Sequence, residues 1–125
     1  MKRINTRAVG SCYEELAACY LIRHGYEILT RNFRSGRYAE IDIVARDPDG
    51  VIVFAEVKYR SGRGSGSSLS AVNRRKQQRI SGAALFFLKV NDLGVDVPCR
   101  FDVLGIEGEK EIIHIKNAFE YAGRS

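Results

Sequence analysis

The stretch Glu40-Ile41-Asp42-Ile43-Val44-Ala45-Arg46-Asp47-Pro48-Asp49-Gly50-Val51-Ile52-Val53-Phe54-Ala55-Glu56-Val57-Lys58-Tyr59 decides how this chain folds. Glu40 to Ile43 alternates polar and apolar residues, the period of a half-buried strand. Val51 to Tyr59 reads as a second, more apolar strand, and Asp47-Pro48-Asp49-Gly50 between them is a strong turn signal. If Pro48-Asp49-Gly50 is a three-residue hairpin loop with Gly50 left-handed, Asp47 pairs with Val51. Opposed residues then carry numbers that sum to 98. That register sets Asp42 across from Glu56 and Glu40 across from Lys58. Opposed Cβ atoms lie roughly 5 Å apart, within reach of one shared cation. A slip of one residue would send Asp42 and Glu56 to opposite faces.

Charged side chains on an apolar strand are costly unless they pair or bind a metal. Glu40 and Asp42, like Glu56 and Lys58, are two apart and leave one face of their strand. Two adjacent carboxylates repel, and an oxygen-only site of few ligands suits Mg²⁺ or Mn²⁺ with its waters and phosphate oxygens. Lys58 beside them would orient or deprotonate an attacking water and offset phosphate charge. The same residues would also serve as cross-strand salt bridges, Glu40 with Lys58 and Asp42 with Arg60 or Arg37.

Outward from the hairpin, Ala8 to His24 reads as an amphipathic helix with Leu16, Ala17, Tyr20 and Leu21 as its apolar stripe, ended by Gly25. Tyr26 to Phe33 has strand composition and Ser35-Gly36-Arg37 turns the chain. Residues 61–68 form a Gly/Ser-rich loop by composition. A helix from about Ser70 to Val90 packs through Ile80, Ala83, Ala84, Phe87 and Leu88. Arg100 to Ile106 and Glu111 to Ile115 predict two more strands, and Asn117 to Ala122 a short terminal helix. The order α-β-β-β-α-β-β-α predicts an α/β fold, a single domain over residues 1–125 with a mixed central sheet flanked by helices.

The chain has 125 residues, 45% of them hydrophobic and 28% charged, which is the balance of an ordinary globular domain and excludes a mainly disordered chain. Its longest apolar runs, such as 83–88, fall far short of the roughly 20 residues that span a bilayer. Met1-Lys2-Arg3 opens like a signal peptide, but Glu14 and Glu15 stand where an apolar segment belongs, so a cytoplasmic location is expected. Cys12, Cys19 and Cys99 show no metal-ligand spacing and read as small packing residues. The net charge is +5, and no acidic residue lies between Glu56 and Asp92. Arg60, Arg63, Arg74, Arg75, Lys76 and Arg79 in that interval would hold a phosphate backbone, or else form a solvated helix face. For Lys76 the alternative is a stem that covers the core while its ammonium reaches solvent.

Asp42, a run of 13 residues, then Glu56-Val57-Lys58 resembles the D…(D/E)-x-K motif of the restriction-endonuclease-like nucleases. Alone the motif is short. Added to it are Glu14-x-x-Ala17-Ala18-x-x-Leu21, Gly25-Tyr26-x-Ile28, Arg31-Asn32-x-Arg34, Glu40 to Val44, Phe54 to Arg60 and Arg100-Phe101-Asp102-Val103. Together, over nearly the whole chain, they resemble the YraN-like family of small bacterial proteins, whose fold is similar to archaeal-type Holliday junction resolvases. The resemblance implies DNA binding and metal-dependent phosphodiester cleavage, including of branched DNA, with the alternative of a non-catalytic nucleic-acid-binding module. It implies Asp42, Glu56 and the carbonyl of Val57 as ligands of Mg²⁺ or Mn²⁺, Lys58 as catalytic lysine, Glu14 as a helix-borne carboxylate at the site and Glu40 as a tuner of Lys58. Junction cleavage would further imply a homodimer. Tyr13 and Ala39 depart from the family, which has Gly at both positions, and Tyr13 would narrow access.

Other candidates are bland. His24 and His114 read as a helix-end and a strand residue. The glycines at 62, 64 and 66 match neither a phosphate-binding loop nor a dinucleotide fingerprint. Asp102 reads as a paired strand carboxylate, and Tyr13, Tyr20 and Tyr26 as core or rim aromatics rather than base-stacking platforms.

Overall fold

The computed structural model describes residues 6–37, 39–60, 72–94, 96–107 and 111–122, with side chains from Cys12 onward and without that of Arg60. The elements are α1 (Thr6–Arg23), β1 (Glu27–Ser35), β2 (Ala39–Arg46), β3 (Ile52–Arg60), α2 (Arg74–Val90), β4 (Cys99–Glu107) and β5 (Glu111–Phe119). The Gly/Ser loop at 61–68, with Arg63, lies outside the described residues.

The hairpin closes as its turn residues require. The Asp47 N–H donates to the Val51 carbonyl and the Gly50 N–H to the Asp47 carbonyl, each at 2.9 Å. Gly50 is left-handed, at φ +91. Asp47 Oδ1 accepts the N–H groups of Asp49 and Val51 at 2.8 and 2.9 Å, which locks the turn through its first side chain. Ile43 opposite Ala55 through Arg46 opposite Ile52 is the expected register. The ladder ends at Ile43, and the Val57 N–H instead donates to Asp42 Oδ2 at 2.8 Å.

The sheet order is β1-β2-β3-β4-β5, with β3 and β4 parallel and the other neighbours antiparallel. A parallel pair needs a crossover, and α2 supplies it. On the α2 face, Phe54, Phe101 and Phe119 pack with Ile80, Ala83, Ala84, Phe87 and Leu88. On the other, Ala17, Ala18 and Leu21 of α1 cover Ile43, Ala45, Val53, Ala55 and Leu104. The buried stripe of α1 is thus Ala17-Ala18-Leu21, while Leu16 and Tyr20 are only half-buried.

The expected terminal helix is a correction. Asn117 to Phe119 extend β5, and among the described residues beyond it no helix follows. Pairing shifts register between Phe101 and Val103, with Asn117 in the left-handed region at φ +54, so this segment serves the sheet as a bulge. The Ala122 N–H then donates to the buried Ser81 Oγ at 2.9 Å, which fixes the chain end against α2.

Gly25 ends α1 at φ +87, with the Tyr26 N–H returning to the Leu21 carbonyl at 2.9 Å. A Cβ there would lie 3.2 Å from Pro48 Cγ. Gly25→Ala is therefore expected to cost about 1–2 kcal/mol, from left-handed strain on an L residue and the crowding of Pro48. Urea denaturation checks it; an unchanged midpoint would show that this junction relaxes freely.

Candidate functional site

Both helices begin at the same end of β3. Lys76 near the start of α2 meets Glu56, while Phe87, further along, meets Phe54. Tyr13 of α1 meets Tyr59 at the end of β3. Asn73 caps α2, its Oδ1 accepting the Lys76 N–H at 2.8 Å. The positive end of the α2 dipole thus faces the carboxylates.

Here Glu40, Asp42 and Glu56 share a cavity of about 340 Å³ with Asn73, Arg75, Lys76 and Arg79. Glu56 is buried, at 7% exposure, and its Oε2 takes the Lys76 ammonium. Asp42 is half-buried, and burial first, then repulsion from Glu56, push its carboxyl up to about 7. The Val57 amide opposes that rise, while Glu14 and Glu40 add smaller repulsions. Asp42 therefore sits within electrostatic reach of three further carboxylates, the crowding that the strand pattern implies. Lys58 is half-buried and its ammonium is held below the usual lysine value, by burial first and then by Lys76, against the pull of Glu56.

Several expected placements are refined. Glu40 is held by Arg34, Nε to Oε2 at 3.5 Å, its neighbour across β1. Val57 contributes its N–H to Asp42. Arg75, Lys76 and Arg79 line the cavity, whereas Arg74 is exposed at the first turn and is not part of the lining. Arg60 lies in β3 with its side chain outside the described residues, as Arg63 is entirely. Lys76 does more than cover the core, because it neutralises Glu56. Among the described residues no three His, Cys, Asp or Glu side chains gather in a group that would hold a metal ion.

A second polar cluster occupies the α1 face. Asp102 is fully buried and accepts His114 Nε2 at 2.7 Å, Arg100 Nε at 3.0 Å and the Asn117 N–H at 2.9 Å. Arg100 also donates to Asp47 Oδ2 at 2.6 Å and to the Tyr26 hydroxyl at 2.8 Å, and Tyr20 meets His114 Nδ1 at 3.2 Å. Burial pushes the Asp102 carboxyl up, but His114, Asn117 and Arg100 outweigh it and hold it below the carboxylate range. His114 is a strand residue, as expected, and its ring partners Asp102 and Tyr20. The signal was the one that marked Asp42, a charge inside the apolar run Phe101-Asp102-Val103-Leu104; the other members of the cluster, from α1, β5 and two connections, show no spacing.

Fold and site together define a single-domain α/β protein, among the described residues two helices on a five-strand mixed sheet, with a carboxylate pair set in a basic cavity at one end. The chain belongs to the uncharacterised protein family UPF0102, whose family model matches residues 13–106; this is the YraN-like family that the motifs resemble. A UPF0102 protein of Lachnoclostridium phytofermentans is 46% identical over 120 residues, covering 96% of this chain and 99% of the relative. One of Geobacter metallireducens is 48% identical over 122 residues, covering 95% and 98%. Among solved structures, Pyrococcus furiosus SfsA in complex with Ca²⁺ is similar at a TM-score of 0.38 and 18% identity, over 90% of this chain and 64% of that one. No described helix is long and apolar enough to cross a membrane.

Proposed function

We propose that this protein is a nuclease that hydrolyses phosphodiester bonds in DNA with the help of Mg²⁺ or Mn²⁺. The observation that carries this reading is the cavity itself, where Asp42 and Glu56 face Arg75, Lys76 and Arg79. Burial first, and then the repulsion of Glu56, push Asp42 up to about 7, and a hard divalent cation bound there offsets both costs. The donor set fits such an ion, since Mg²⁺ takes one or two carboxylates and fills its other positions with water and phosphate oxygens. Asp42 and Glu56 would hold the ion, and the carbonyl of Val57, next in sequence to Glu56, is the further ligand that the family resemblance implies.

A bound divalent cation supplies Lewis acidity toward a phosphate oxygen. The chain's own residues supply the rest. Arg75 and Arg79, four apart on α2, hold the phosphodiester with the positive end of the helix behind them. Lys58, whose ammonium burial and then Lys76 hold below the usual lysine value, is present as the free amine in a larger fraction than an exposed lysine, and the free amine is the form that takes a proton from the attacking water. Glu14 and Glu40 add negative charge around Asp42 and favour the cation further. Branched DNA is the substrate class that the resemblance to junction resolvases favours, and a homodimer would then cut both strands.

A second reading, a DNA-binding module without catalysis, is favoured by Lys76 standing on Glu56. Cleavage of labelled single-stranded, duplex and four-way-junction DNA with Mg²⁺ or Mn²⁺ separates the two. The expected result is cutting by wild type and a loss of about 100-fold or more in Lys58→Ala, with binding retained. Binding without cleavage in either metal establishes the module instead. Cutting that survives Lys58→Ala unchanged removes Lys58 from the chemistry.

A further inference from the structure

Tyr13 and Tyr59 form an aromatic stack at the same end of the sheet as the carboxylates. Their ring centroids are 4.2 Å apart and their planes differ by 10°. Tyr13 sits one position before Glu14, whose charge is felt by Asp42, and Tyr59 one position after Lys58. Strand alternation turns Tyr59 away from the cavity toward α1, so the pair caps the sheet end on the other side. Although Tyr13 covers one of its faces, Tyr59 remains 46% exposed. Core aromatics of this protein behave differently: Phe54 and Phe101 are buried at 1% and 5%. Two large rings kept parallel at the surface, at the sheet end that holds the basic cavity but on the opposite face, have the shape of a stacking platform.

We propose that the Tyr13–Tyr59 pair is a binding site for an unpaired nucleobase, taken from the strand whose phosphate lies at Asp42 and Glu56. The proposal rests on the nuclease reading for the position of that phosphate, and adds a substrate class: nucleic acid with at least one unstacked base beside the cut. A base inside a duplex has both faces covered by its neighbours, so only single strands, ends and branch points offer one. Tyr13 itself holds the inner ring in place and leaves Tyr59 as the contact surface. Hydrogen bonding with Tyr59 and, next, burial keep the Tyr13 phenol above its usual 10.0, so Tyr13 adds no negative charge against the backbone. Tyr13, expected from sequence to narrow access, is in this proposal also the positioning residue of the platform.

The test is binding, in EDTA so that no cutting intervenes, of a short single-stranded DNA carrying 2-aminopurine and of the same backbone with abasic sites. Wild type is expected to quench the 2-aminopurine and to bind the base-bearing strand about 5- to 100-fold more tightly than the abasic one. Tyr59→Phe is expected to keep both properties, and Tyr59→Ala to lose both while its thermal transition stays cooperative. Equal affinity of wild type for the two strands overturns the proposal, as does quenching that survives in a folded Tyr59→Ala. The nuclease reading is scored separately by cleavage with metal. A base-dependent preference without cleavage leaves the platform standing and removes the enzyme, and cleavage without that preference does the reverse.

Discussion

Asp42→Asn is expected to make the metal-free protein more stable at pH 8 and to abolish its response to Mg²⁺ or Mn²⁺. A carboxyl raised from 3.8 to about 7 keeps a proton in the native state that the unfolded chain has already lost. By linkage, stability from this group is greatest at low pH, falls as pH rises above about 4, and levels off above about 7. The cost by pH 8 is on the order of 4 kcal/mol at most, less whatever solvent screening returns to a half-buried group. Asparagine carries no charge to desolvate, and its amide oxygen still accepts the Val57 N–H that Asp42 now holds at 2.8 Å. The variant's thermal midpoint at pH 8 should rise by several degrees, with little change at pH 4. A cation bound by wild type at about 100 times its dissociation constant stabilises the fold by roughly 2.7 kcal/mol, and the variant should show none of this. Thermal denaturation at both pH values, with and without 10-fold steps of metal, measures all of it. Equal metal-induced shifts in the two proteins would place any cation elsewhere.

The largest loss of stability is expected at the other face of the sheet, from Asp102→Ala. Asp102 is completely buried and partners Arg100, His114 and the Asn117 amide. Removing it leaves a guanidinium that is only 17% exposed with Asp47 and Tyr26 alone, an imidazole that is 6% exposed with Nε2 unpartnered, and the Asn117 N–H without its acceptor. Breaking a buried pair from one side costs about 3–5 kcal/mol, because the remaining group keeps its desolvation penalty. For a chain of this length that lowers the thermal midpoint by on the order of 10 °C. Arg100→Met should cost less, since Asp102 retains His114 and Asn117, and the double variant should recover part of the sum. Chemical denaturation of the three variants checks the cycle; a loss below about 1 kcal/mol in Asp102→Ala would show that the cluster contributes little to the fold. Asp47 belongs to the same cluster: burial raises its carboxyl, but Arg100 and the turn amides outweigh that and hold it low. Stability from Asp47 and Asp102 is present above their ordinary value of 3.8 and is lost as the pH falls through their lowered values. This acid limb runs opposite in sign to the Asp42 effect, so a metal-free stability profile should peak between them.

Much of the fold was legible because it rests on local chemistry. Asp47-Pro48-Asp49-Gly50 specifies its turn through Pro and a left-handed Gly, the turn sets the register, and the register sets Asp42 and Glu56 on one face. Ile80, Ala83, Ala84, Phe87 and Leu88 were readable as the buried side of α2 because helical spacing repeats every few residues. The terminal segment was misread because Asn117-Ala118-Phe119 is short, and β5 claims it through a bulge and the hydrogen bond from Asn117 to Asp102. Such a pairing depends on a partner 15 residues away, which no window of local propensity contains.

The amino-acid sequence by itself determined the hairpin, its register, the charged pairs within it and the basic helix that follows, since each depends on neighbours a few bonds away. Only the tertiary structure decided where those charges find their counterparts. Lys76 reaches Glu56 because both helices begin at the same end of β3. Arg100 joins Asp102 on its own strand with Tyr26 and Asp47 from two distant connections, because burial leaves a guanidinium little water to bond and forces it onto protein partners. Tyr13 meets Tyr59 for a like reason, two aromatic faces brought together across 46 positions of chain by the docking of α1, a juxtaposition that spacing alone does not encode.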